Sequence, residues 1–512
     1  MIHDKVSHLK YKLMIPDLTM EKEISATLHE PPEQYTSKYF TGRKAKAPVY
    51  PTIEGFSCYR NVDGSYQTIE HLANTFPTFV EVINIGPSHL KSIGEGGDEL
   101  KVLKLTNQNK TMSKSPLFIL CGVHPRELAP TEACARFAED MLDQYGKDSD
   151  KTWILDYTEI HIVLQVNPDG RRHEEANFGY RRKNMNDFIS TPDDDPNSVP
   201  NPPNDDCILK QFRSAASCVG VDLNRNFPHA AWGTTNDGPL CSRTYAGPSA
   251  GSEMETQAIV NYVESVIPPG TNLVDPVTNA FLSNSKGVLI DVHSYGQDFF
   301  WPFGYSSLDS PNEYELKAFA KKMSSYTFPI YSSENFVYAT SGDTTDYAYS
   351  ATGVAAYTAE MGTSFYQSCS YFEEYEKTNA FGFLLYAARV TNAPYVHPKG
   401  PDVISMDLSS NTLTPNENLE LTVLVSDNHR GSGYSSSFQN IQRIDLFIDK
   451  HPYENNATVI AQIEPQTNSM VAIETFEVPL QSYDTGQHIV YIQAHDIEGP
   501  GPIYSLFFNV VV

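Results

Sequence analysis

At 512 residues the chain exceeds what one ordinary hydrophobic core supports, so one large and one smaller domain are expected. Its 40% hydrophobic and 20% charged residues are those of a folded globular protein, and no run of 18 apolar residues is present to span a bilayer. A formal charge of −26 argues against nucleic acid as a partner, because that affinity comes largely from Lys and Arg displacing counterions.

Residues 1–54 read as a polar N-terminal arm, with Pro31-Pro32 and the basic run Arg43-Lys44-Ala45-Lys46. Its opening, MIHDKVSHLKYKLMIPD, has no apolar stretch behind the basic residues and is not read as a secretory signal. Residues 55–396 alternate short apolar runs with helical patterns. FILCGVH (118–124), IHIVLQV (160–166), GVLIDVH (287–293) and AAYTAEM (355–361) are the length and composition of buried strands. Helices are expected after Pro130 and after Ser252, the latter with Glu255 completing a capping box. Such alternation implies a mixed α/β sheet flanked by helices, with ligands at the C-terminal edge of its parallel strands.

Two long polar segments, 184–217 and 268–279, read as surface loops. After Pro398-Lys399-Gly400-Pro401 the texture changes to alternating runs, LELTVLV (419–425), RIDLFI (443–448) and HIVYIQA (488–494). Residues 397–512 are therefore expected to form an appended β-sandwich. Seven cysteines form neither a dense framework nor a CxxC pair, and their odd number leaves at least one free thiol.

The chemistry concentrates at strand ends. His124-Pro125-Arg126-Glu127 places an imidazole and a carboxylate three residues apart on a turn, and His293 ends GVLIDVH. Nitrogen and oxygen donors of this kind suit zinc, and a catalytic site needs three protein ligands with one position open. A satisfied core histidine or a surface polar residue is the competing reading of each residue taken singly.

Together these residues resemble the carboxypeptidase A/B-like zinc carboxypeptidases over about residues 55–390. His124xxGlu127 is similar to the family's first ligand pair. CVGVDLNRNF (218–227) is similar to its Asn-Arg segment, CSRTYAG (241–247) to its CSETYxG, and DVHSYGQ (291–297) to the segment holding its second histidine. Tyr338 and Glu360 match the spacing of its mobile tyrosine and catalytic glutamate.

The resemblance implies a secreted or periplasmic exopeptidase acting on free C-termini, monomeric, with one zinc per chain on His124, Glu127 and His293. It implies Glu360 as general base, Arg182 as oxyanion stabiliser with Arg181 as rival, and Asp222 as orienter of a ligand histidine. Asn224 and Arg225 would grip the terminal carboxylate, and Tyr338 would close over it. It also implies a Cys218–Cys241 disulfide. Thr345 falls at the specificity-pocket floor and Asp343 at its wall, implying release of apolar and basic residues, with a turn-capping Asp343 as the alternative. A zinc amidase or peptidoglycan hydrolase on the same scaffold, and a catalytically silent binding protein, are the rival functions.

Overall fold

The computed structural model describes residues 49–187, 219–235, 238–327, 331–334, 338–427, 439–466 and 469–512. A short antiparallel pair, β1 (Thr52–Ile53) and β2 (Phe56–Arg60), opens the described chain, so the arm expected to reach residue 54 already contains a strand. The large sheet uses β3 (Val80–Pro87), β4 (Glu99–Leu105), β5 (Ser115–Cys121), β6 (Thr158–Val163), β7 (Val288–Ser294), β8 (Asp298–Phe300), β9 (Ser332–Glu334) and β10 (Ala355–Met361). Its order is β3-β4-β6-β5-β7-β10-β8-β9. The central four, β6-β5-β7-β10, run parallel and the flanks are partly antiparallel, giving the mixed sheet expected. Parallel strands buried on both faces need continuous apolar runs, and Leu117, Ile119, Val288, Ile290, Ala355 and Tyr357 are all fully buried.

Helices accompany the sheet: α1 (Val62–Thr75), α2 (Leu128–Asp143), α3 (Ser149–Tyr157), α4 (Pro168–Asn177), α5 (Met254–Val266), α6 (Glu313–Ser324), α7 (Thr344–Thr352) and α8 (Lys377–Val390). α4 starts where Asn167 accepts the Gly170 N–H and Pro168 needs no donor. α7 is capped by Asp343 and stopped by Gly353 at φ +70°.

Two expected starts differ. α2 begins at Leu128, before Pro130, since a proline is tolerated in a first turn. The capping box at Ser252 does not form, because Glu255 instead accepts from the His89 backbone N–H at 2.9 Å and Asn184 Nδ2 at 3.2 Å. The N-cap of α5 is Glu253.

Downstream, β11 (Asp402–Leu408), β12 (Thr412–Leu413), β13 (Asn418–Ser426), β14 (Arg443–Ile448), β15 (Ala461–Ile463), β16 (Val471–Pro479), β17 (Gly486–Asp496) and β18 (Gly499–Val510) form sheets of three and five strands. Leu421 and Val423 of one sheet and Ile444, Val490 and Ile492 of the other share one apolar core, the β-sandwich expected. The sandwich docks on the large sheet's helices: Arg389 of α8 donates to Ile503 O at 2.6 Å and pairs with Asp150 of α3 at 2.8 Å, and Phe447, Tyr491 and Ile503 join the larger core.

Candidate metal centre and active site

Parallel pairing of β5 with β7 aligns Cys121 with Val292 and so carries both histidine segments to one sheet edge. β5 stops at Cys121, three residues short of His124, because Gly122 turns the chain at φ +70°. A side chain there would meet Gln165 Oε1 at 2.9 Å and Leu164 O at 3.1 Å. The turn ends at Glu127, which occupies the N-cap of α2 yet caps nothing with its side chain. Its carboxylate faces the histidines instead: Oε1 lies 2.8 Å from His124 Nδ1 and Oε2 2.9 Å from His293 Nδ1.

The two Nδ1 atoms are 3.1 Å apart, close to the separation of about 3.3 Å that nitrogens at 2.0–2.1 Å from a tetrahedral zinc would have. His124 Nε2 sits 3.1 Å from Asp222 Oδ1, and His293 Nε2 sits 2.9 Å from Asp291 Oδ2. A carboxylate behind each ring holds the proton on Nε2 and leaves Nδ1 lone pairs directed at a common point. One ligand atom from each of His124, Glu127 and His293 lies within 4.8 Å of the others, and all three residues are buried. Burial disfavours charge on His293, but Asp291 and Glu127 outweigh it and raise its pKa well above the usual value. Burial likewise opposes the Glu127 carboxylate, and the two histidines overcome it, holding its pKa far below the usual range. A donor set that electronegative fits a divalent cation.

Glu360 enters from β10, in register opposite His293. The residue is partly exposed, yet its Oε2 is buried without a hydrogen-bond partner. Gly296 makes room for it, since a Cβ there would come within 3.1 Å of Glu360 Cβ. Burial first, then the Glu127 charge, push its pKa up to about 7.

The two candidate arginines separate. Arg181 spends its guanidinium on backbone, donating to Lys183 O at 3.1 Å, Asn184 O at 2.5 Å and Val219 O at 3.3 Å. Arg182 donates from Nε to Asp222 Oδ2 at 2.7 Å, which ties it to His124 through the same carboxylate. Burial lowers the Arg182 pKa, but Asp222 and Glu127 raise it further, so the cation persists.

Asp222 also caps the single turn Leu223–Arg225, accepting from the Asn224 N–H at 3.1 Å. Asn224 accepts from the Thr344 N–H at 3.0 Å, which sets its amide beside the His293 ring. Arg225 is buried, with Nη1 donating to Asn224 O at 2.6 Å. Tyr338 is 64% exposed. Asp343 Oδ1 accepts from Thr345 Oγ1 at 2.7 Å and from the Asp346 N–H at 2.9 Å, while Oδ2 meets Thr340 Oγ1 at 3.3 Å. The capping use of Asp343 is therefore real, and one oxygen is left lightly engaged.

Several supports went unassigned in the sequence. Asp291 stands two residues before His293, a period-two signal for the same strand face. Arg126, between two ligands, lies 3.9 Å above the Phe365 ring with Nε unpartnered. The disulfides Cys58–Cys369 and Cys121–Cys134 join residues whose proximity only the fold creates. Cys241 is also disulfide-bonded; Cys218, its expected partner, lies outside the described residues.

Residues 65–382 match the Peptidase_M14 family, zinc carboxypeptidase. The chain is 26% identical to carboxypeptidase A1 of Bos taurus over 387 residues, 75% of each protein. It is 27% identical to metallocarboxypeptidase A of Arthroderma otae over 342 residues, 64% of this chain and 68% of that one. Among solved structures, thrombin activatable fibrinolysis inhibitor is similar in fold, with TM-score 0.52 and 23% identity over 65% of this chain and 74% of that one. Carboxypeptidase A from Helicoverpa armigera gives 0.50 and 21% over 75% and 85%. With the three-donor cluster at the sheet edge, the chain belongs to the zinc carboxypeptidase family and is a zinc-dependent exopeptidase that hydrolyses the C-terminal peptide bond.

Proposed function

We propose that Glu360 is the general base and acid of this carboxypeptidase, and the observation that carries the reading is its buried, unpartnered Oε2 opposite His293. His124, Glu127 and His293 would hold a zinc ion, which when bound would supply the positive charge for polarising a scissile carbonyl and acidifying a water. Glu360 is placed to accept a proton from the attacking water and to return it to the leaving amine. Arg182, fixed by Asp222, offers its remaining guanidinium donors to the oxyanion. Arg225 and Asn224 hold the substrate's terminal carboxylate, a task suited to a planar guanidinium. Tyr338 closes over the bound residue, and its exposure supports that freedom.

Specificity follows from Thr345 and Asp343. A neutral floor at Thr345 admits aromatic and aliphatic side chains. The lightly held Asp343 Oδ2 lies 3.0 Å from where a Gly304 Cβ would be, so the glycine leaves it approachable by Lys or Arg. Burial first, and then the neighbouring Asp343, push the Asp346 pKa well above the usual carboxylate range. The same reading takes residues 55–396 as the catalytic domain of a monomer, 397–512 as an accessory sandwich and 1–54 as an arm. Five disulfide-bonded positions among the described residues, Cys58, Cys121, Cys134, Cys241 and Cys369, support a secreted or periplasmic location.

Peptides ending in Phe, Leu, Lys or Arg, free or amidated, test it on wild type, Arg225→Ala and Asp343→Asn. Arg225→Ala should lose most of the preference for free C-termini, and Asp343→Asn should lower the Lys-to-Phe ratio of kcat/KM. Equal cleavage of amidated peptides by wild type would refute the carboxylate grip, and an unchanged ratio would make Asp343 a cap alone.

A further inference from the structure

Four consecutive backbone N–H groups just before Arg182 end on one residue. Glu174, in α4, accepts the Phe178 N–H with its backbone carbonyl at 2.8 Å. Its carboxylate accepts the next three: Gly179 N–H at 3.2 Å and Arg181 N–H at 2.9 Å on Oε2, and Tyr180 N–H at 3.0 Å on Oε1. Tyr366 donates its hydroxyl to Oε1 as well. Glu174 is completely buried, and its carboxylate's hydrogen-bond partners among the described residues are these backbone N–H groups and the Tyr366 hydroxyl. A carboxylate is costly to bury unless donors surround it, and here the donors are the backbone of one turn.

That turn needs holding. Phe178 and Tyr180 both sit at positive φ, +47° and +57°, a region disfavoured for side chains with a Cβ. Beyond it the chain meets the metal-ligand turn, where the Arg126 N–H donates to Arg181 O at 3.0 Å. One helical turn earlier, Arg171 donates from Nη1 to Pro125 O at 3.2 Å and Glu127 O at 3.1 Å. A single face of α4 thus grips both sides of the active site.

We propose that Glu174 is a positioning residue for Arg182: its carboxylate locks the Phe178–Arg181 turn so that the Arg182 guanidinium is fixed where the oxyanion forms. An amide cannot replace it, because its NH2 group would face backbone donors. The proposal rests on Arg182 acting on the transition state, and the experiment separates the two ideas.

Glu174→Gln, Arg182→Ala and the double variant are assayed on one free-carboxylate peptide, with zinc content measured in each. Glu174→Gln is expected to lower kcat roughly 10- to 100-fold with KM little changed and zinc retained, since small misplacements of a charge-stabilising group cost that much. In the Arg182→Ala background the same change should have almost no further effect. Wild-type kcat in Glu174→Gln, or a loss that multiplies with that of Arg182→Ala, overturns the proposal. If Arg182→Ala alone leaves kcat intact, the Arg182 role fails and this proposal with it. Should Glu174→Gln not fold, Tyr366→Phe, which removes one donor, carries the test: a several-fold fall in kcat absent from the Arg182→Ala background is expected, and an unchanged kcat overturns the proposal.

Discussion

Among the described residues, two pairs of buried histidines sit in opposite surroundings. His124 and His293 sit at the sheet edge with Glu127 between them and Asp222 and Asp291 behind. His397 and His451 sit in the seam between α3 and the sandwich. There the His451 ring lies 4.2 Å from Tyr157, 4.7 Å from Trp153 and 4.6 Å from Tyr453, and its Nε2 has no partner. Burial and His495 push His397 down to about 4, and burial and His397 push His451 well below its usual value. The carboxylates make the difference. With them a buried imidazole pair welcomes a cation, and without them it remains a neutral aromatic packing element.

The strongest way to break the comparison is at Glu360, the carboxylate facing the first pair without bonding to it. Glu360→Gln should lower kcat by about 10² to 10⁴ while zinc stays bound; steady-state kinetics with metal analysis would show otherwise if turnover persists. Next comes the carboxylate behind a ligand. Asp291→Asn should weaken zinc binding about 10- to 100-fold by releasing the His293 ring, read by competition against a chelator. Unchanged affinity would mean that Asp291 matters only for the hydrogen bond it accepts from the Thr344 hydroxyl.

The smallest effect is expected in the seam. Both histidines have depressed folded-state pKa values, so the unfolded chain binds more protons between about pH 4 and 6.5. The stability they give is complete above pH 6.5 and is lost as pH falls toward 4, on the order of 2 kcal/mol by pH 5 for a group like His397. The melting temperature of wild type should therefore fall between pH 7 and 5, and fall less in His451→Phe. Parallel curves for the two proteins would remove the seam histidines as the cause.

The candidate metal ligands were legible in the sequence because His124 and His293 each end an apolar run, Glu127 follows His124 by three residues on the turn, and parallel strands bring such ends to one edge. The central strands and the sandwich runs were legible for the same reason, as their patterns match their burial. Strand β5 was read three residues too far along, as 118–124 where the strand is Ser115–Cys121, because a glycine's turn at residue 122 leaves no mark on hydrophobicity. The capping box at Ser252 failed because Glu255 has a tertiary partner in His89, 166 residues away. Glu174 and the pair Cys121–Cys134 stayed hidden for related reasons, since their partners are backbone groups or residues defined only by the folded turn. The different partners of Arg181 and Arg182 were not legible either, because only the fold places backbone carbonyls around one and Asp222 beside the other.

The most direct measurement is zinc per chain in purified wild type and in His124→Ala plus His293→Ala, with peptidase activity followed through chelation and zinc return. One zinc in wild type, none in the double variant, and activity lost on chelation and restored by zinc are expected. Activity in metal-free protein, or zinc retained when both histidines are gone, would contradict the assignment.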